Sequence, residues 1–151
     1  MTSSLTMPPA IAVDANFAIR AILPMEGKSG ILEYFVSWHQ SHRKIYAPDL
    51  LILEAVSVIQ RGAFERRITE AEGLIATEDL FRLGIELVPS DVGLCQAAMA
   101  WASRLRQSKA NDGFYLAVAE QKQAELWTAD EKLHNRVKQL GVTWVRWIEE
   151  K

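Results

Sequence analysis

The chain has 151 residues, of which 49% are apolar and 24% charged, with a formal net charge of -2 and an isoelectric point near 5.9. This composition suits a soluble globular chain that buries about two-thirds of its unfolded surface, and it excludes disorder. A net charge so near zero excludes a protein that coats nucleic acid by overall charge, so any nucleic-acid contact is local.

The lone cysteine, Cys95, leaves no internal disulfide and no thiolate metal site, which fits a reducing cytoplasm. Residues 1–9 hold Ser, Thr and two prolines but no basic segment leading an apolar one. They read as a loose N-terminal arm rather than a secretion signal. Charges or turn residues interrupt every hydrophobic run before the ~20 residues a bilayer span needs, so no membrane association is expected.

Ala10-Ile11-Ala12-Val13 is a short apolar run ended by Asp14, the pattern of a buried strand that delivers a carboxylate at its C-terminal end. A helix is predicted from residue 15 to about 23. Pro24, Gly27 and Gly30 mark a turn, after which Ile31, Leu32, Phe35, Val36 and Trp38 recur at helical spacing. Residues 44–47 are β-like and Pro48 stops them. Asp49 reads as the N-cap of a helix carrying Leu50, Leu51, Leu53, Ala55, Val56, Val58 and Ile59, with Gly62 as its stop.

Thr69 followed by Glu72 is a capping-box pattern opening a helix to about residue 82, and Gly84 leads into a strand at 85–88. Pro89 and Ser90 form a boundary. Leu94, Ala97, Ala98, Trp101, Ala102 and Leu105 mark the next helix, and 108–111 is a polar loop. Asp112 opens a helix carrying Phe114, Tyr115, Leu116, Ala117, Val118 and Ala119. A strand at 125–128 runs to Asp130, and a helix at about 132–140, Gly141 and a strand at 142–145 complete the chain. Five strands alternating with one or two helices predict an α/β fold with a mainly parallel central sheet and helices on both faces. With no internal repeat and no Gly-, Pro- or Ser-rich linker, one domain over 1–151 is expected.

In an open α/β sheet, ligands bind outside the carboxyl ends of the strands, where strand order reverses. Asp14 follows the first strand, Asp130 the fourth, and Asp112 begins the helix that feeds the fourth. Glu54 lies among Leu50, Leu51, Ile52, Leu53, Ala55 and Val56, where an unpaired carboxylate is costly to bury. Singly, the three aspartates read as helix caps and Glu54 as a half-exposed helix residue. Together, all four point toward one end of the sheet, which capping does not require. Such mutually repelling acids are tolerable around Mg²⁺ or Mn²⁺, which prefer hard oxygen ligands. Two ions roughly 3.5–4 Å apart, or one resident and one recruited by substrate, suit hydrolysis of a phosphodiester.

Four segments resemble the motifs of the PIN domain, and more narrowly of the VapC toxins of toxin-antitoxin pairs. They are Ala12-Val13-Asp14-Ala15-Asn16, the run from Ala47-Pro48 through Glu54-Ala55, the run from Asn111-Asp112 through Val118-Ala119, and the run from Leu126-Trp127 through Lys132-Leu133. The resemblance spans nearly the whole chain. It implies a three-layer fold and a Mg²⁺- or Mn²⁺-dependent endoribonuclease with Asp14, Glu54, Asp112 and Asp130 as catalytic metal ligands, supported by hydrogen bonds from Asn16 and Thr128. It also implies an RNA substrate, a homodimer and a cognate antitoxin. The chain departs from the family in having Gly113 where Ala is common and Asn111 where Tyr or another large residue is usual. Glycine at a helix start is expected to cost little, so the departure bears on how Asp112 is positioned.

The remaining candidates have plainer readings. His39 and His42 lie three apart but lack a further soft ligand, and with His134 they read as surface residues. Cys95, on an Ala-rich helix, reads as core. Arg61, Arg66 and Arg67 read as a solvated face, with RNA phosphate or an acidic antitoxin segment as the other use. Trp38, Trp101, Trp127, Trp144 and Trp147 read mostly as core or interface, though exposed ones would stack bases. Two other functions are compatible with parts of the pattern. One is a catalytically silent PIN-like module that binds RNA or protein, against which the retention of four acids counts. The other is a phosphate-transfer enzyme of the haloacid dehalogenase type, whose Asp-x-Asp is broken here by Asn16.

Overall fold

The computed structural model describes residues 9–23 and 30–149. The N-terminal arm, apart from Pro9, and the turn expected at Pro24 and Gly27 lie outside the described residues.

β1 (Ala10–Val13) buries Ile11, Ala12 and Val13 almost completely, as a strand with parallel neighbours on both sides requires. It pairs in parallel with β2 (Ile45–Pro48) and with β4 (Ala124–Thr128). β2 pairs with β3 (Glu86–Val88) and β4 with β5 (Val145–Trp147), giving the order β3-β2-β1-β4-β5. The chain builds one side of β1 and then crosses to the other, so strand order reverses between β1 and β4. The register sets Val13 opposite Trp127, bringing the ends of those two strands level. A crevice at that reversal is where such sheets bind ligands.

The helices are α1 (Ala15–Ile22), α2 (Ile31–Gln40), α3 (Leu50–Phe64), α4 (Glu70–Arg82), α5 (Val92–Leu105), α6 (Asn111–Gln121) and α7 (Glu131–Gln139). Side-chain capping sets several of their starts. The α4 box is complete: the Thr69 hydroxyl accepts from Glu72 N–H at 3.0 Å, and Thr69 N–H donates to Glu72 at 2.8 Å. Asp91 caps α5 by accepting from Leu94 N–H at 2.8 Å. Phe17 packs α1 onto Phe35 and Trp38 of α2 and onto Trp127 of β4, with ring centroids 5.7–6.1 Å apart. α6 packs across β1, β2 and β4 and against α5.

Several expectations need correction. Asp49 precedes α3 but makes no side-chain cap; its carboxylate accepts from the Ser90 hydroxyl and N–H instead. Gly62 does not stop α3. It is buried against Ile68 while the helix runs on to Phe64, and the turn is made by Arg66 at φ 60°, which lets Arg67 N–H return to the Gly62 carbonyl. β5 lies three residues later than expected, because Val142 N–H is held by the Val137 carbonyl at the end of α7 and cannot join the sheet. His134 is buried rather than superficial, its ring stacked on Trp147 at 6.1 Å. Cys95 is only half-buried. Trp38 and Trp101 are core, whereas Trp127, Trp144 and Trp147 are partly covered.

Candidate active site

Asp14 leaves β1 in an extended conformation and caps α1, its Oδ1 accepting from Phe17 N–H at 2.9 Å. Its other oxygen accepts from the hydroxyl of Thr128, which is fully buried at the end of β4. The same Thr128 oxygen accepts from Asp130 N–H at 2.9 Å, so one threonine ties the two strand ends together. Asp130 in turn caps α7, accepting from Lys132 N–H at 2.9 Å and Leu133 N–H at 3.2 Å.

The other two acids are held by side chains. Gln107, just past α5, donates to Asp112 Oδ2 at 3.0 Å. Glu54, on α3, accepts on one oxygen from Asn111 Nδ2 at 2.9 Å and on the other from Tyr115 O–H at 2.5 Å.

The charges of Asp112 and Asp130 act on Asp14, and those of Asp130 and Glu54 act on Asp112. Burial pushes the Asp14 carboxyl up from its ordinary 3.8 to about 7. The bonds from Thr128 and Phe17 oppose that rise, while the negative charges of Asp112 and Asp130 add to it. Asp112 is also raised by burial, against the Gln107 bond; Asp130 and Glu54 raise it further and the Arg136 cation lowers it. Tyr115 is pushed up by burial and by its bond to Glu54, with Glu54, Asp14 and Asp112 adding repulsion for a phenolate. It is therefore a fixed donor at any physiological pH.

Among the described residues, no three acidic, His or Cys side chains already stand together as a metal-binding group. The acids are instead occupied by neutral donors. Their chemistry fits Mg²⁺ or Mn²⁺: hard oxygens, no competing thiolate or imidazole among these contacts, and carboxyls whose ionisation a nearby cation would favour.

Asn16 is exposed in the first turn of α1 and, among the described residues, donates to none of the four acids. His39 lies elsewhere, its ring nitrogen on the Leu83 carbonyl at 2.7 Å. Arg61, Arg66 and Arg67 are exposed, with Arg67 paired to Glu65 at 2.8 Å.

Tyr115 and Gln107 belong to the site by their bonds to Glu54 and Asp112, although neither is among the candidates drawn from the sequence. A signal for Tyr115 existed, since a phenol in an otherwise apolar helical run must find an acceptor once buried. Gln107 follows a helix end made by Arg106 at φ 57°, and no sequence pattern announced it.

A family model described as PIN domain matches residues 11–139. No curated protein matches the sequence. Among solved structures, the chain is similar to PAE2754 from Pyrobaculum aerophilum, at 19% identity over 93% of this chain and 92% of that one, with a TM-score of 0.66. It is also similar to VapC20 of Mycobacterium tuberculosis, described as a sarcin-ricin loop cleaving toxin, at 16% identity over 91% of this chain and 99% of that one, with a TM-score of 0.61. At such identities the likeness concerns the fold.

Proposed function

The chain belongs to the PIN-domain family, and from that premise we propose that it is a one-domain, metal-dependent endoribonuclease of the VapC type, the toxin of a toxin-antitoxin pair. What supports the reading is that Asp14 and Asp130 stand at the level ends of β1 and β4, tied through Thr128, with the Asp112 charge acting on Asp14 and the Glu54 charge acting on Asp112.

Asp14, Glu54, Asp112 and Asp130 are the residues that would hold Mg²⁺ or Mn²⁺. When bound, the metal supplies the Lewis acidity that makes water a nucleophile near neutral pH and stabilises the leaving oxygen. Burial holds the Asp14 carboxyl up at about 7, and a cation held beside it would favour the ionised form. Thr128 keeps the Asp14 carboxylate oriented through the proton it donates. The four acids would repel an RNA phosphate until a bound cation neutralised their charge.

Exposed apolar residues support partner-covered surfaces for a homodimer and a cognate antitoxin: Leu53, Val56 and Phe64 on α3, and Leu74, Ile75 and Phe81 on α4. No described helix is long and apolar enough to cross a membrane, and cytoplasmic residence is part of the proposal.

The test is cleavage of a panel of structured RNAs, a sarcin-ricin stem-loop among them, with Mg²⁺, Mn²⁺ or EDTA beside an identically prepared Asp14→Asn protein. Cuts that need metal and vanish in the variant are expected. RNA binding that survives EDTA, without cuts, would favour the silent binding module instead.

A further inference from the structure

Glu54 differs from the other three acids in how it is held. Asp14 and Asp130 are helix caps pinned by backbone N–H groups, and Asp112 sits on the first turn of α6 against Gln107. Glu54 has no such local anchor. It projects from within α3, carries one more rotatable bond than an aspartate, and has Leu53 and Ala55 on either side. Its hydrogen-bond partners among the described residues, Asn111 and Tyr115, both belong to α6 and stand four apart, one helical turn, each facing a different carboxylate oxygen. Tyr115 is 2% exposed, and its hydroxyl donates its one proton to Glu54. A carboxylate offers about four acceptor positions, so two donors immobilise it and still leave lone pairs for a cation.

We propose that Asn111 and Tyr115 are positioning residues that clamp Glu54 from successive turns of α6, fixing its free lone pairs toward the region of Asp14, Asp112 and Asp130. The clamp rests on the metal-site reading above and adds to it a side-chain link from α6 to α3. It also gives a use to Asn111: the residue is exposed, and its amide reaches Glu54 from the first residue of α6. Groups that orient a ligating carboxylate influence metal affinity without touching the metal.

The experiment measures Mn²⁺ affinity by electron paramagnetic resonance on purified full-length protein, in wild type, Tyr115→Phe, Asn111→Ala, Glu54→Ala and the double variant Glu54→Ala with Tyr115→Phe. Urea unfolding of each serves as a folding control. Tyr115→Phe is expected to weaken Mn²⁺ about tenfold while staying folded, and Asn111→Ala to act in the same direction. In the Glu54→Ala background Tyr115→Phe is expected to add nothing, because its effect passes through the missing carboxylate. Unchanged affinity in Tyr115→Phe, or an equal loss with and without Glu54, overturns the clamp. A wild type that binds no Mn²⁺ overturns the clamp and the metal site together. A wild type that binds Mn²⁺, shows the coupling and cuts no RNA supports the clamp and removes only the nuclease reading.

Discussion

Gly113 of α6 lies against the Ala98 carbonyl of α5 so closely that a Cβ added to it would stand 2.1 Å from that oxygen. The obstacle is backbone, which cannot rotate away as a side chain would, so even one methyl requires the two helices to separate. Gly113→Ala is therefore expected to destabilise the protein by about 1–3 kcal/mol. Because Asp112 is the preceding residue, the same variant is expected to lower metal-dependent cleavage. A urea midpoint equal to wild type would show that the helices do not meet this closely.

The Asp14 carboxyl makes stability depend on pH and metal. Its folded value of about 7 lies above its ordinary 3.8, so the folded state holds the proton more tightly. The stability this contributes is present in full below pH 3.8 and is lost as pH rises through about 7. The shift corresponds to about 4 kcal/mol, and Asp112 acts in the same direction. In EDTA, Tm is expected to fall between pH 5 and pH 8 and to fall less in Asp14→Asn, which cannot ionise. Mn²⁺ is expected to restore the wild type most strongly at pH 8. Parallel Tm curves for the two proteins in EDTA would remove Asp14 as the source.

Cleavage is expected to drop at least about 100-fold in Asp14→Asn and in Asp112→Asn, with far-ultraviolet circular dichroism unchanged. Wild-type turnover in either variant with saturating Mn²⁺ would detach that acid from the metal site. As a contrast, Thr69→Ala removes half of the α4 capping box and is expected to cost about 1 kcal/mol of stability while leaving cleavage intact.

Where local chemistry decided the outcome, the chain was legible before its structure. The apolar run before Asp14 had to be a buried strand, and Thr69 with Glu72 had to open a helix. The reversal point followed from strands alternating with helices, and it brought Asp14 and Asp130 to one end of the sheet. What escaped depends on contacts between distant segments. Tyr115 read as one more apolar residue because its acceptor, Glu54, is 61 positions away. Gly113 looked like a cheap irregularity because nothing in the sequence says that α5 presses on it. His134 looked superficial on a helix of low hydrophobicity, although β5 brings Trp147 over its ring. The register of β5 shifted because a single backbone bond from Val142 to Val137 delays its entry into the sheet.

The Thr128 hydroxyl serves two neighbours at once, donating to Asp14 and accepting from Asp130 N–H. Thr128→Val keeps the shape and removes both bonds, leaving a buried carboxylate oxygen and an amide without their partner. A loss of about 1–3 kcal/mol is expected. The more diagnostic effect is on the proton. The bond from Thr128 lowers the Asp14 carboxyl against the rise caused by burial, so its removal drives that group further up. If ionised Asp14 is what cleavage requires, the rise of activity with pH moves to higher pH in Thr128→Val, while activity well above that midpoint recovers part of the loss. An unshifted profile, with activity lowered equally at every pH, would mean that Thr128 only supports the fold and does not tune Asp14.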